Sequence, residues 1–261
     1  MTRRAILIPS PGPLNTPENQ RIGIGISKDC VEWRRFLCSN AGGAWDDDDE
    51  IVTLNPNPSV DEIQSVLAGT KNVDYSFVAF SGHGKIEYDK DDEEWVTKLL
   101  VNESDKLPDY MLRPLSPRSL ISVDSCRWDP SGIFKIAMAN ESAKIRGAYF
   151  STDSVRLAHR RLYDDCIQRC ERGAIFMYAC DYTEEASAAH TRGGKLGSLF
   201  TFKCVEVAET WYKSARGNEC IKINDAFPSI QRKVGEIEPE QKPQLHGGRR
   251  LGYYPLAVKA V

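Results

Sequence analysis

Short apolar runs rich in β-branched residues alternate along the chain with stretches whose apolar positions recur every three or four residues. The segments "AILIP", "EIVTLN", "DYSFVAFSG", "RSLISVDS" and "AIFMYAC" have the first pattern and predict five buried strands; "LGYYPLAVKAV" predicts a last one. "SKDCVEWRRFLCSN" predicts a helix capped by Ser27, with Val31, Trp33, Phe36 and Leu37 facing the core. "NPSVDEIQSVLAGT" predicts a second helix, with Ser59 as N-cap, Glu62 as its capping-box partner and Gly69 at its close. "DSVRLAHRRLYDDCIQRCERG" reads as a long helix ending at Gly173, and "LGSLFTFKCVEVAETWYKSARG" and "NDAFPSIQRKVGE" as two more. Residues 84–118 and 127–153 predict long irregular connections. Strands of unbroken apolar character that alternate with helices indicate an α/β protein with a mostly parallel sheet covered on both faces. In such sheets ligands bind outside the carboxyl ends of the strands.

Composition narrows the classes of function. A formal net charge of −3 over 261 residues supplies no basic surplus, so no nucleic-acid partner is expected. The N-terminal apolar run of about five residues is too short for an export signal or a membrane span. A cytoplasmic protein with no membrane association is expected. Eight cysteines are scattered along the chain without a C-x-x-C pair, which predicts reduced thiols and no zinc site.

The candidate chemistry lies at two strand ends. "SGHG" follows the third apolar run and places His83 between Gly82 and Gly84; "DSCRW" follows the fourth and places Cys126 just beyond it. If these strands are neighbours, a thiol and an imidazole rise from one edge of the sheet, as a nucleophile and its base require. The glycines would let the backbone turn tightly, and the backbone N–H groups of Gly84 and Cys126 would face a developing oxyanion. A cysteine phosphatase needs arginine where Gly132 stands, and "IPSPGPLN" is no dinucleotide-binding loop. His159, His190 and His246 read as surface or supporting residues rather than catalysts.

"SGHG" after one hydrophobic strand and "DSCR" after the next resemble the caspase-like cysteine peptidases, especially metacaspases and their bacterial homologues. "RRAILIPSPG", "YACDYTEEASA", "GGKLGSLFTFK", "QKPQL" and "YYPLAV" resemble further segments of that family, so the likeness extends over nearly the whole chain. It implies a three-layer α/β/α sandwich of the caspase-haemoglobinase type with a mostly parallel six-stranded sheet. It implies one peptidase domain over residues 1–261, with a large-subunit-like part (1–135), a processing loop (136–153) and a small-subunit-like part (154–261). By the same resemblance His83 and Cys126 form the dyad of a cysteine endopeptidase that works through an acyl-enzyme. Gly84 contributes to the oxyanion hole. Asp124 and Ser81 line the substrate pocket and favour Arg or Lys before the scissile bond. Asp181, just past the fifth strand, adds to the negative field there, with Glu184 and Glu185. Lys144 and Arg146 are candidate points of self-cleavage. A protein substrate is implied, and a regulatory protein partner is the further expectation.

Two departures stand out. Trp128 and Asp129 follow "DSCR", where relatives carry a small residue. The stretch "YDKDDEEW" keeps the acids of the metacaspase calcium segment, among them Asp89, Asp91 and Asp92, but not its glycines. A solvated acidic hairpin is therefore favoured over a calcium site, and no cofactor is expected. The competing reading is a catalytically inactive caspase-like interaction module. Such modules typically lose the cysteine or the histidine, and this chain keeps both.

Overall fold

The structure, a computed structural model, describes residues 1–11, 23–89, 93–127, 136–138, 152–182, 184, 186, 188–191, 194–250 and 252–261. In chain order the first half comprises β1 (Arg3–Ser10), α1 (Gly23–Cys38), β2 (Ile51–Thr53), α2 (Val60–Ala68), β3 (Tyr75–Asp89), β4 (Glu94–Leu100), β5 (Lys106–Pro108), β6 (Arg118–Asp124) and β7 (Ile136–Met138). The second half comprises α3 (Asp153–Gln168), β8 (Gly173–Tyr178), β9 (Ala188–Thr191), β10 (Gly194–Ser198), α4 (Leu199–Ser214), β11 (Glu219–Lys222), α5 (Ile223–Gly235), β12 (Gln244–His246) and β13 (Pro255–Lys259).

The main sheet has the strand order β12-β8-β6-β3-β1-β2. All neighbours on this path run parallel except β12, which is antiparallel to β8. Successive residues of each strand enter opposite faces, as a pleated strand requires. Ala5, Leu7, Phe77, Ala79, Leu120, Ile175 and Met177 pack on one face with residues of α1, α3, α4 and α5. Ile6, Ile8, Val78, Phe80, Ile121 and Val123 pack on the other with Ile63 and Leu67 of α2. The result is the expected α/β/α sandwich with a mostly parallel six-stranded path.

One buried ionic network ties the N-terminal strand to the second half. Arg3, 3% exposed, donates to Glu50 from Nη2 (3.1 Å) and to the Gly43 carbonyl from Nη1 (3.0 Å). Arg160 of α3 pairs with the same Glu50, and Asp164 lies 3.3 Å from Arg3. Each charge is compensated, the condition under which burial of ions is tolerated.

Several expectations need correction. Helix α1 begins at Gly23, so Ser27 lies inside it and does not cap it. Val31 is 64% exposed, because the buried stripe runs through Ile26, Cys30, Trp33 and Leu37 and leaves position 31 on the solvent side. The capping box of Ser59 and Glu62 is present, and Gly69 closes α2 in ordinary right-handed geometry. Helix α3 stops at Gln168, and Gly173, at φ +129°, instead starts β8. Residues 84–118 are not irregular: β3 continues into them and pairs with β4, which pairs with β5. The terminal strand β13 does not join the main sheet; it pairs antiparallel with β11, where Leu256, Ala257 and Val258 are buried in the helix-covered core. His159 is buried, not superficial, with Nδ1 against the Val155 carbonyl (2.8 Å) and Nε2 against the Tyr212 hydroxyl (3.2 Å).

Candidate active site

The site grows from the pairing of β3 with β6. Their register sets Ser81 opposite Asp124, the last pair of the parallel ladder. Two positions farther along each chain come His83, still within β3, and Cys126, just past β6. "SGHG" is therefore not a turn. The strand runs straight through it, and His83 lies opposite Leu100 of β4. The hydroxyl of Ser10, at the end of β1, donates to the carbonyls of Leu100 (2.5 Å) and Val101 (2.7 Å), which fastens β4 beneath the histidine.

The glycines serve close approach rather than turning. A Cβ on Gly82 would lie 2.6 Å from the Ser10 carbonyl oxygen. A Cβ on Gly84 would lie 2.7 Å from both the Cys126 carbonyl oxygen and the Ser125 hydroxyl. Gly84 is thus pressed against the peptide of the cysteine, and only a residue without a side chain fits.

His83 is half-buried, and desolvation pulls its imidazole down to about 4. It is a neutral base at physiological pH. Cys126 is 6% exposed; its Sγ accepts from the Ala186 N–H (3.4 Å) and contacts the Ala186 carbonyl (3.7 Å). The backbone of Ala186 thus covers the sulfur. The next residue, Arg127, is fully buried. Its N–H donates to the Glu184 carbonyl (3.0 Å) and its Nε to Thr97 Oγ1 (3.0 Å). Its guanidinium lies between the rings of Tyr178 (4.1 Å) and Tyr182 (3.6 Å). The peptide that follows the thiol is held from three sides.

Behind the Ser81–Asp124 pair lies a second acid. Asp29 of α1 accepts from the Ser81 hydroxyl (2.5 Å) through Oδ2 and from the Ser198 N–H (2.7 Å) through Oδ1. Asp124 accepts from the Ser198 hydroxyl and from Thr201, at 3.2 Å from N and 2.7 Å from Oγ1. Ser198 is the N-cap of α4, so the positive end of that helix meets both carboxyls. Burial raises both acids, and the charge of Asp124 raises Asp29 further. The two buried acids meet at Ser198, which donates its N–H to Asp29 and its hydroxyl to Asp124.

Asp181 does not join this cluster through its described hydrogen bonds, which stay within its own turn: Tyr182 N–H donates to Oδ1 (2.7 Å), and its own N–H donates to Glu184 (3.0 Å). Asp89 ends β3, while Asp91, Asp92, Trp128, Asp129, Lys144, Arg146 and Glu185 lie outside the described residues. Among the described residues no group of His, Cys, Asp and Glu is suited to a metal, and no helix is long and apolar enough to cross a membrane.

Sequence reasoning missed Asp29, Ser198 and Arg127. Asp29 had a signal, an acid beside the apolar stripe of an amphipathic helix. Ser198 had a weaker one, a capping residue before an apolar run. Arg127 stood in plain view after the cysteine, but nothing in the chain names the two tyrosines that enclose it.

No protein-family model matches the chain, and no curated protein matches it in sequence. Solved structures do match in shape. The chain is similar to caspase-1 from Spodoptera frugiperda, with a TM-score of 0.55 and 12% identity over 95% of this chain and 88% of that one. It is also similar to a Geobacter sulfurreducens protein, with a TM-score of 0.53 and 16% identity over 98% of this chain and 99% of that one. The chain therefore has the caspase-haemoglobinase fold.

Proposed function

We propose that this protein is a cysteine endopeptidase that cleaves protein substrates after arginine or lysine. The observation that carries the reading is the placement of His83 and Cys126, each two residues beyond the registered Ser81–Asp124 pair on adjacent parallel strands. Cys126 Sγ attacks the scissile carbonyl and passes its proton to neutral His83, which then gives it to the leaving amine. The N–H groups of Gly84 and Cys126 stabilise the oxyanion. Water attacks the acyl-enzyme, His83 takes its proton, and the thiol is restored. Substrate reaches the sulfur only after the Ala186 backbone has left it, so the closed contact represents a resting state.

In this reading Asp29, Ser81 and Asp124 receive the side chain before the scissile bond. Asp181 contributes to the field at the rim. Lys144 and Arg146 are the candidate self-cleavage points between the two parts of the domain, and calcium at the acidic hairpin remains secondary. The test is a positional peptide library read with wild type, Cys126→Ala and His83→Ala. Cleavage after basic residues, lost by about a thousandfold or more in both variants, is the expected result. Cys126→Ala that turns over peptide near the wild-type rate would overturn the dyad, and a wild type that cleaves no peptide would leave the inactive interaction module.

A further inference from the structure

At the edge of the sheet opposite Cys126, a pocket of about 540 Å³ opens between the segment that leads into β6 and the one that leads into β8. Arg113, Pro114, Leu115 and Pro117 line one side of it, Arg172 and Gly173 the other. Strand β6 runs from Arg118 to Asp124, so its amino end, where the pocket lies, is about 20 Å from the end that precedes the cysteine. The pocket shares no residue with the candidate active site.

Both walls are tied down. The Gly173 N–H donates to the Pro117 carbonyl (2.8 Å), which joins one wall to the other. The Leu115 N–H donates to Thr70 Oγ1 (2.9 Å), which fixes the backbone there and leaves a leucine side chain 59% exposed. Arg118 Nε donates to the Cys170 carbonyl (3.1 Å), and Arg250 Nη2 donates to the carbonyls of Glu171 and Arg172 (3.0 Å each). These two cations therefore hold the turn that carries Arg172. Arg113 and Arg172 are themselves exposed, and among the described residues neither guanidinium has a carboxylate partner. Elsewhere Arg3, Arg34, Arg35, Arg160 and Arg232 each face one. In a chain of net charge −3, two unpaired guanidiniums open into one pocket and two more stand beside it.

We propose that this pocket binds a small organic phosphate, its phosphate oxygens on Arg113 and Arg172 and its apolar part against Leu115. A guanidinium presents a planar fork that matches phosphate oxygens, and two forks on facing walls suit a group with several such oxygens. The Arg118 and Arg250 charges add to the field without leaving their carbonyls. The volume is that of a small-ligand site and exceeds what a bare inorganic anion fills. The exposed Leu115, with the rings of Pro114 and Pro117 beside it, offers the apolar surface that the rest of such a ligand would cover. The two prolines and the Pro117–Gly173 hydrogen bond hold the walls in place before the ligand arrives, which lowers the ordering cost of binding.

The experiment is calorimetric titration of the full chain with ADP, pyrophosphate and adenosine, and its outcome does not depend on peptidase activity. ADP should bind at one site per chain. Arg113→Gln and Arg172→Gln should each weaken it by about tenfold or more, as the loss of a charge-assisted pair does. Both side chains are exposed, so the variants should melt as the wild type does. Leu115→Ser should weaken ADP several-fold and leave pyrophosphate unchanged. Lys213→Gln, which removes an exposed charge from α4, should leave ADP binding as it was. No binding of ADP at millimolar concentration, or equal loss in the Lys213 variant, would overturn the proposal. Pyrophosphate bound as tightly as ADP would reject the organic part, and adenosine bound as tightly as ADP would reject the role of the two arginines.

Discussion

Ser81 of β3 stands directly opposite Asp124 of β6, and the two are joined through Asp29 and Ser198 into one buried polar cluster. If this cluster receives the basic side chain of a substrate, each acid should matter to specificity. Asp124→Ala should cost roughly 2–5 kcal/mol in kcat/KM for arginyl substrates and little for neutral ones. Asp29→Asn should act in the same direction. Unchanged preference for arginine over neutral residues in both variants would reject the pocket.

The same two acids set a dependence on pH. Burial raises both, so the folded protein holds protons that the unfolded chain has lost once pH exceeds the usual carboxyl range. More protons bound in the folded state means that stability falls as pH rises through that window. Asp29→Asn removes one such group and should flatten the fall. Melting curves across mildly acidic to neutral pH measure it, and a steeper fall in the variant would contradict the assignment.

His83 has the opposite sign. Its imidazole titrates near 4 in the folded protein against 6.5 ordinarily. Above the ordinary range both states are neutral and the group adds no slope. As pH drops toward 4 the unfolded chain accepts a proton that the folded one refuses, so stability is lost on the acid side. An NMR titration of the His83 ring should show a midpoint well below that of a solvated histidine, and a midpoint near the ordinary value would refute this.

Gly84 and Gly69 make a matched pair. A methyl group at position 84 meets the Cys126 carbonyl at 2.7 Å, whereas one at position 69 meets nothing within 4 Å. Gly84→Ala should destabilise by about 1–3 kcal/mol and shift the cysteine peptide. Gly69→Ala, in right-handed geometry, should be neutral or stabilising by less than about 1 kcal/mol. Denaturant titration of both variants gives the comparison.

Glu50 serves two arginines at once. Glu50→Ala strands the buried Arg3 guanidinium, and a loss of about 3–5 kcal/mol is expected. A double variant, Arg3→Met with Glu50→Leu, should recover part of that loss, because the fully buried guanidinium is then gone and the charges that lose a partner, Arg160 and Asp164, are both partly exposed. Equal instability of the single and double variants would show that the acid acts through packing alone.

The strands of the parallel sheet were legible because unbroken apolar runs buried on both faces have few other uses. The candidate dyad could be named because a histidine and a cysteine stand at the ends of two such runs. What escaped reading was set by pairing across the chain. Nothing local to "SGHG" tells that β4 will extend β3 beyond it, since that depends on Val96 and Leu99 folding back onto the strand. Asp29 was not singled out, because its partners Ser81 and Ser198 come from distant segments. The last strand has its expected extended form but pairs with β11 outside the main sheet, whose edge beside β8 is taken by β12.

Ser198 binds Asp29 and Asp124 together, and it comes from the half of the chain that follows β7 while both acids come from the half before it. The polar cluster is therefore a joint property of two segments, not of either. Two separately expressed polypeptides, divided between residues 138 and 152, should find each other through this seam and through the Arg160–Glu50 pair. Neither fragment alone would assemble the cluster.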